Sequence, residues 1–189
     1  MTAITSGSTV SGSTISGTPA SGSLSRGDGG ADGRADETTG FLPEEIRTGE
    51  PTRSARLKWV IAVDASLPAG RAVNAAVCAA TATGSAVTGL LGPDAVDARG
   101  AAHPGLPWAG CTILGASTAQ LSELREKAAA SPGVHVADMP ADAQLTRVYD
   151  EYLARIAAKP AAEIGYYAVS VVGPRNRVDK LVKKLSLLP

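Results

Sequence analysis

The chain has no run of eighteen apolar residues, no paired cysteines and no nucleotide-binding or nucleophile loop. Each absence removes a class of function. Without a long apolar run no helix can span a hydrocarbon layer about 30 Å thick, so no membrane partner is expected. The first residues carry neither a basic start nor an apolar core, which argues against a secretory signal and points to the cytoplasm. Cys78 and Cys111 are the only cysteines. They lie in apolar stretches without CxxC spacing and read as unpaired, buried thiols in a reducing compartment. His103 and His135 are the only histidines, and each stands alone. The close ligand pairs that zinc needs are missing, so no metal and no cofactor is expected. There is no GxxxxGK[ST], no GxGxxG after a strand and no GxSxG, which leaves phosphate-loop, dinucleotide and nucleophile-elbow chemistry without support.

What is present divides unevenly. Seventeen of the first 25 residues are Ser, Thr or Gly, and a five-residue pattern restarts at Ser6, Ser11, Ser16 and Ser21. Such a segment offers too little apolar surface to offset about 1–2 kcal/mol of backbone entropy per ordered residue. The polarity continues through "RGDGGADGRADETTG", so residues 1–53 read as a disordered tail and linker. The alternative for "FLPEEI" is a docking segment ordered by a partner. The tail carries four basic and seven acidic residues, a net −3, and residues 54–189 carry fourteen and eleven, a net +3. That second part reads as a single α/β domain, long enough to bury a core without staples.

"KWVIAVD" predicts a buried strand. A helix is expected from about Gly70 to Thr83, with Val73, Val77 and Ala80 as its apolar stripe and Gly84 as its stop. Residues 85–109 form a long Gly/Pro-punctuated connection with a small hairpin around Arg99-Gly100. "GCTILGA" predicts a second strand. Ser117 and Gln120 form a capping box opening a second helix, which "SPG" at 131–133 ends. "VHVAD" predicts a third strand, with His135 at a half-buried position. Leu145, Val148, Tyr149, Tyr152, Leu153 and Ile156 then repeat at helical spacing. "GYYAVSVVG" predicts a fourth strand. The last helix turns Val178, Leu181, Val182 and Leu185 inward and Arg177, Lys180, Lys183 and Lys184 outward. That outer face reads as solvated, since no aromatic interleaves with it for base stacking. Strand and helix alternating four times make an α/β sandwich.

Asp64 and Asp138 each end a predicted strand, where side chains line the ligand crevice of open α/β sheets. Arg71 and Asn74 sit in the first turns of a helix, where free amides already favour an anion. Together these residues could hold a carboxylate, a phosphate or an ester carbonyl. The alternative is that the aspartates cap turns and Arg71 is solvated. His103, in the long "LLGPDAVDARGAAHPG" loop, is a further candidate ligand contact, because loops on a rigid scaffold commonly carry specificity.

"VIAVDASLPAGRAVNAAV", "LLGPDAVDARGAAHPG" and "YYAVSVVGPRNRVDKLVKKLSLL" resemble the uncharacterised domain family numbered two thousand in the domain-of-unknown-function series, over about Lys58 to Leu188. That family in turn resembles type II peptidyl-tRNA hydrolases, chiefly through the closing Gly173-Pro174 and "VDKLVKKLSLL". The resemblance implies a three-layer sandwich around a small mixed four-stranded sheet. It also sets Gly70 and Arg71 at the Gly-Lys of the hydrolases' signature helix. Ala75 stands where their glutamine belongs, with Asn74 one place early, and their histidine has no counterpart. Asp138 matches the aspartate closing their third strand, whereas "MPADAQLTR" departs from the Gly-Arg-Thr-Gln that follows it. Arginine in place of lysine stays charged and clamps an anion rather than serving as a base.

The expected function is therefore the binding of a small anionic ligand or chain end through Arg71, Asn74 and Asp138. The alternative is an ester hydrolase acting on an aminoacyl or peptidyl ester such as peptidyl-tRNA. There Asp138 would position water and Arg71 would stabilise the oxyanion. A second alternative is a non-enzymatic protein that assembles as a homo-oligomer.

Overall fold

The computed structural model describes residues 40–188. The Ser/Thr/Gly repeat, and the expected disorder up to residue 39, lie outside them. Strand β1 (Leu57–Asp64) is buried along nearly its whole length. It is central, with a strand on each side and apolar side chains on both faces, which is what a near-continuous Val/Ile run requires. Strand β4 (Thr112–Ala116) runs parallel to it, with Val60 opposite Thr112. Strand β6 (Tyr166–Pro174) is antiparallel on the other side, with Val60 opposite Val171. β5 (His135–Pro140) is antiparallel to β6 and forms one edge. β7 (Ser186–Leu187) is antiparallel to β4 and forms the other, giving the order β5-β6-β1-β4-β7.

The sheet thus has five strands rather than the expected four. β7 is two residues long, too short to register as a pattern, and it exists because β4 offers it an open edge. The parallel β1–β4 pair needs a long crossover. Helix α1 (Ala69–Ala86) and the connection behind it supply that crossover.

Side chains alternate across the sheet into two cores. Leu57, Trp59, Ile61 and Val63 of β1 pack with α1, and Val60 and Ala62 pack with helix α2 (Thr118–Ala129) and helix α5 (Arg175–Val182). α1 buries Ala72, Ala75, Ala79 and Thr83, not the expected valines. Val73 and Val77 remain 61% and 57% exposed. Small residues let the helix lie close to the sheet, and a polar tie between Thr83 and Ser170 of β6 selects that stripe. The helix also runs on through Gly84, whose surroundings are open. α2 begins at the expected box, with the Gln120 amide donating to Ser117 Oγ and the Ser117 amide to Gln120 Oε1.

Between β5 and β6 the expected single helix is broken. α3 (Asp142–Leu145) and α4 (Tyr149–Ala157) are separated by Thr146 and Val148 in extended conformation. The Thr146 hydroxyl donates back to the Asp142 carbonyl, and Lys159 reaches the buried Asp142 carboxylate at 2.6 Å. The apolar face of α4 is not a core face. Val148, Tyr149 and Leu153 are exposed, while Tyr152 and Ile156 are half-buried. The long connection does carry the small hairpin, β2 (Ala95–Val96) with β3 (Ala102–His103). Asp97 Oδ1 accepts the Arg99 and Ala101 amides across its turn, and Gly100 takes the left-handed conformation there at φ +84°.

The expected linker also ends earlier than residue 53. Phe41 is only 4% exposed and belongs to the core on the α1 face. Its amide donates to the Thr88 carbonyl at 3.0 Å, and its ring lies 4.8 Å from that of Trp108. Arg56 binds both the Gly40 carbonyl and the Glu45 carboxylate. That guanidinium holds the Glu45 carboxyl down at about 2. "FLPEEI" is therefore ordered by this domain's own core. One phenylalanine among polar neighbours has no period to reveal it.

Candidate functional site

β1, β4 and β5 run in one direction, so their C-terminal ends share one edge of the sheet, the edge at which ligands of open α/β sheets bind. α1 starts there behind Pro68, and no side chain caps it. The Arg71 amide donates to the Pro68 carbonyl at 2.9 Å, so the positive end of the helix dipole and the Ala69 and Gly70 amides are left for an external acceptor.

Arg71, in the first turn, is held by two neutral groups. Its Nε donates to Gln144 Oε1 at 2.8 Å and its Nη2 to the Tyr167 hydroxyl at 3.0 Å. Its guanidinium also lies 5.0 Å from the centre of the Tyr167 ring. Gln144 Nε2 in turn donates to the Arg71 carbonyl and to Asn74 Oδ1, at 2.9 and 3.0 Å. Arg71 has no carboxylate partner among the described residues. Two of five guanidinium N–H donors are used, so its outer fork keeps donors and a full positive charge.

Gln144 and Tyr167 were not visible in the sequence as site residues. Gln144 comes from "MPADAQLTR", the segment that departs from the hydrolase pattern. The tyrosine pair did carry a signal. Neighbouring strand residues point to opposite faces, so one of Tyr166 and Tyr167 had to face α1.

The structure brings Arg71 and Asn74 together but sends the other candidates elsewhere. Asp138 pairs in register with Val169 of the α2-side core, and its Oδ2 accepts Arg125 Nε of α2 at 3.2 Å. It borders a cleft of about 440 Å³ beside Met139 and Tyr152, which neither Arg71 nor Asn74 lines. Cys78 and Ala82 of α1 also line this cleft, but among the described residues none of the clefts is lined by both Arg71 and Asp138, as was expected of a common pocket. Strand alternation places Asp138 on the face away from Arg71.

Asp64 is buried and fully employed. Its Oδ1 accepts the Ser66 amide and hydroxyl at 2.9 and 2.7 Å, and its Oδ2 accepts the Thr118 hydroxyl at 3.0 Å. It locks the turn after β1 to the start of α2. Burial pushes its carboxyl up, but the bonds from Ser66 and Thr118 outweigh that and hold it below its ordinary 3.8. A lowered carboxyl stabilises the fold above the ordinary value, and this stability drains away as pH falls through the native value. The stability advantage of the wild type over Asp64→Asn is therefore expected to be constant near neutral pH and to shrink below about pH 4. Urea melts at stepped pH measure this, and an advantage unchanged down to about pH 2.5 would refute it.

His103 is exposed on β3 and lies 4.0 Å from Asp97. It is far from Arg71 along the fold, because the connection carrying it follows the C-terminal end of α1. The thiols differ from expectation as well. Cys78 is exposed, since it sits off the alanine stripe of α1, and only Cys111 is partly buried. Burial pushes the Cys111 thiol up to about 12.

A family model described as a protein of unknown function, DUF2000, matches residues 57–189. The chain belongs to the DUF2000 family. The matched region starts with β1, so the Phe41 arm packs onto the DUF2000 domain from outside it. A solved protein of unknown function from Agrobacterium tumefaciens strain C58 has a similar fold, with a TM-score of 0.65 at 11% identity. The likeness covers 70% of this chain and 97% of that one. No curated protein matches the chain.

Proposed function

We propose that this DUF2000 domain binds a small anionic group, a carboxylate or phosphate, at Arg71 and the uncapped start of α1. The observation that carries the reading is the guanidinium held in place by Gln144 and Tyr167 without a balancing carboxylate. Fixing an arginine with neutral groups orients its fork while preserving its charge, and such pre-organisation lowers the ordering cost of binding. Asn74, tied through its oxygen to Gln144, keeps its amide hydrogens for a second ligand atom.

The scaffold we propose is that of type II peptidyl-tRNA hydrolases, on the strength of Gly70-Arg71, Asp138 and the closing helix. A peptidyl ester or tRNA end as substrate draws less support. The aspartate that would position water is engaged by Arg125, and among the described residues Arg71 is bound by Gln144 and Tyr167 rather than by a carboxylate or histidine base.

Titration calorimetry of the full chain with inorganic phosphate and with acetate tests the reading. Arg71→Ala is expected to weaken binding about tenfold or more, near 1.4 kcal/mol. Arg71→Lys should recover only part of it, because an ammonium has no fork. Equal affinities in the wild type and Arg71→Ala would sink the proposal. Arg71→Ala is expected to cost less than about 0.5 kcal/mol in stability, since the residue is exposed.

A further inference from the structure

On the opposite face of the sheet, α2 and α5 enclose a groove of about 600 Å³. Its walls carry Lys127, Arg177, Lys180, Lys183 and Lys184 against a single carboxylate, Glu123. Lys127 pairs with Glu123, and Lys184 adds to the field that lowers the Glu123 carboxyl. Asp179, the acid of α5, is turned to β1, where it binds Lys58 at 2.5 Å. Lys180 and Lys183 have no ion-pair partner among the described residues. Cations gathered in this way repel one another until an anion enters.

Between these walls lie Leu124, Ala130, Leu181 and Leu185. Along α2 the groove runs from Gln120 to the helix end at Ala129, about 14 Å of helix axis at 1.5 Å per residue. That length accommodates about four residues of extended peptide.

We propose that the α2–α5 groove docks an acidic segment of a partner protein, one whose carboxylates alternate with apolar side chains. The charge of the walls selects the carboxylates, and the leucine floor selects the apolar residues between them. A nucleic-acid strand fits less well. Its backbone has nothing to cover the leucines, and no aromatic residue lines the groove for its bases. The site is independent of Arg71, which lies on the α1 side of the sheet.

The test is fluorescence anisotropy with the full chain and three labelled probes: a peptide in which leucines alternate with glutamate pairs, the same peptide with serine for leucine, and an oligothymidylate. The leucine–glutamate peptide should bind tightest, about fivefold or more above the serine version. Lys180→Glu with Lys183→Glu, two exposed sites, should weaken it about tenfold or more while the circular dichroism spectrum stays that of the wild type. Raised salt should weaken it without abolishing it. Absence of binding to that peptide, affinity unchanged in the double variant, or preference for the serine peptide or the oligonucleotide would each overturn the proposal.

Discussion

Phe41→Ala is expected to destabilise the domain by about 3–5 kcal/mol, the usual cost of emptying a buried phenylalanine site. The ring is packed against Trp108 and capped by the Arg56 guanidinium at 6.0 Å. Gly89 shows how closely the arm is seated. It adopts φ +68°, and a Cβ there would stand 2.7 Å from the Phe41 carbonyl oxygen. The neighbouring Leu42 is 44% exposed, so Leu42→Ala should cost under about 1 kcal/mol and serves as the control. A chain beginning at residue 54 loses the ring together with the Glu45–Arg56 pair. Set against a total stability of about 5–15 kcal/mol, that chain should melt far below one beginning at residue 40. Coincident urea transitions for the two lengths would show that the arm is not part of the fold.

Ser170→Ala should cost about 2–4 kcal/mol, far more than the loss of one hydroxyl suggests. Ser170 and Thr83 are fully buried and Trp59 nearly so. The Trp59 indole N–H donates to Ser170 Oγ at 2.9 Å, and the two hydroxyls of Ser170 and Thr83 lie 2.7 Å apart. Thr83 gives its hydrogen to the Ala79 carbonyl at 2.8 Å, so the Ser170 hydroxyl donates to Thr83. Alanine at 170 strands the indole N–H and leaves the Thr83 oxygen without a donor. Pairing Ser170→Ala with Trp59→Phe removes the stranded donor as well. The double variant should therefore lose less than the sum of the single losses, and additive losses would mean that the three groups do not act as one chain.

The polar chain also explains why the buried side of α1 differs from the valine stripe its sequence predicts. Judged by hydrophobicity, Val73 and Val77 outrank Ala72, Ala75 and Ala79, and Thr83 counts as polar. The helix turns the other way because Thr83 has a partner on β6 and because alanines allow a close approach. The α4 stripe shows the reverse: a strong helical period whose apolar face is covered only in part, with Tyr152 and Ile156 half-buried and Val148, Tyr149 and Leu153 exposed. Amphipathicity reports what a helix could bury, and whether it does so depends on what stands opposite.

That Arg71 and Asn74 lie together was legible because both fall in the first turns of one helix. Their supporting residue, Gln144, lies seventy-three positions from Arg71 and becomes adjacent only when α3 folds back across the end of β5. Asp138 was legible as a strand residue, but it does not end its strand, since β5 runs on to Pro140, and its face was not legible. A shift of one residue in a strand reverses the side, and the register with β6 is set by partners far away in the chain.

The order of β1, α1, β4, α2, β5, β6 and α5, the Ser117–Gln120 cap and the hairpin at Gly100 follow from local chemistry: β-branched runs, capping groups and glycine at a positive φ. The fifth strand, the seating of Phe41, the alanine face of α1 and the parting of Arg71 from Asp138 were decided by tertiary structure. Each depends on which surface meets which across the sheet, and contacts between distant residues leave no periodic trace in a single sequence.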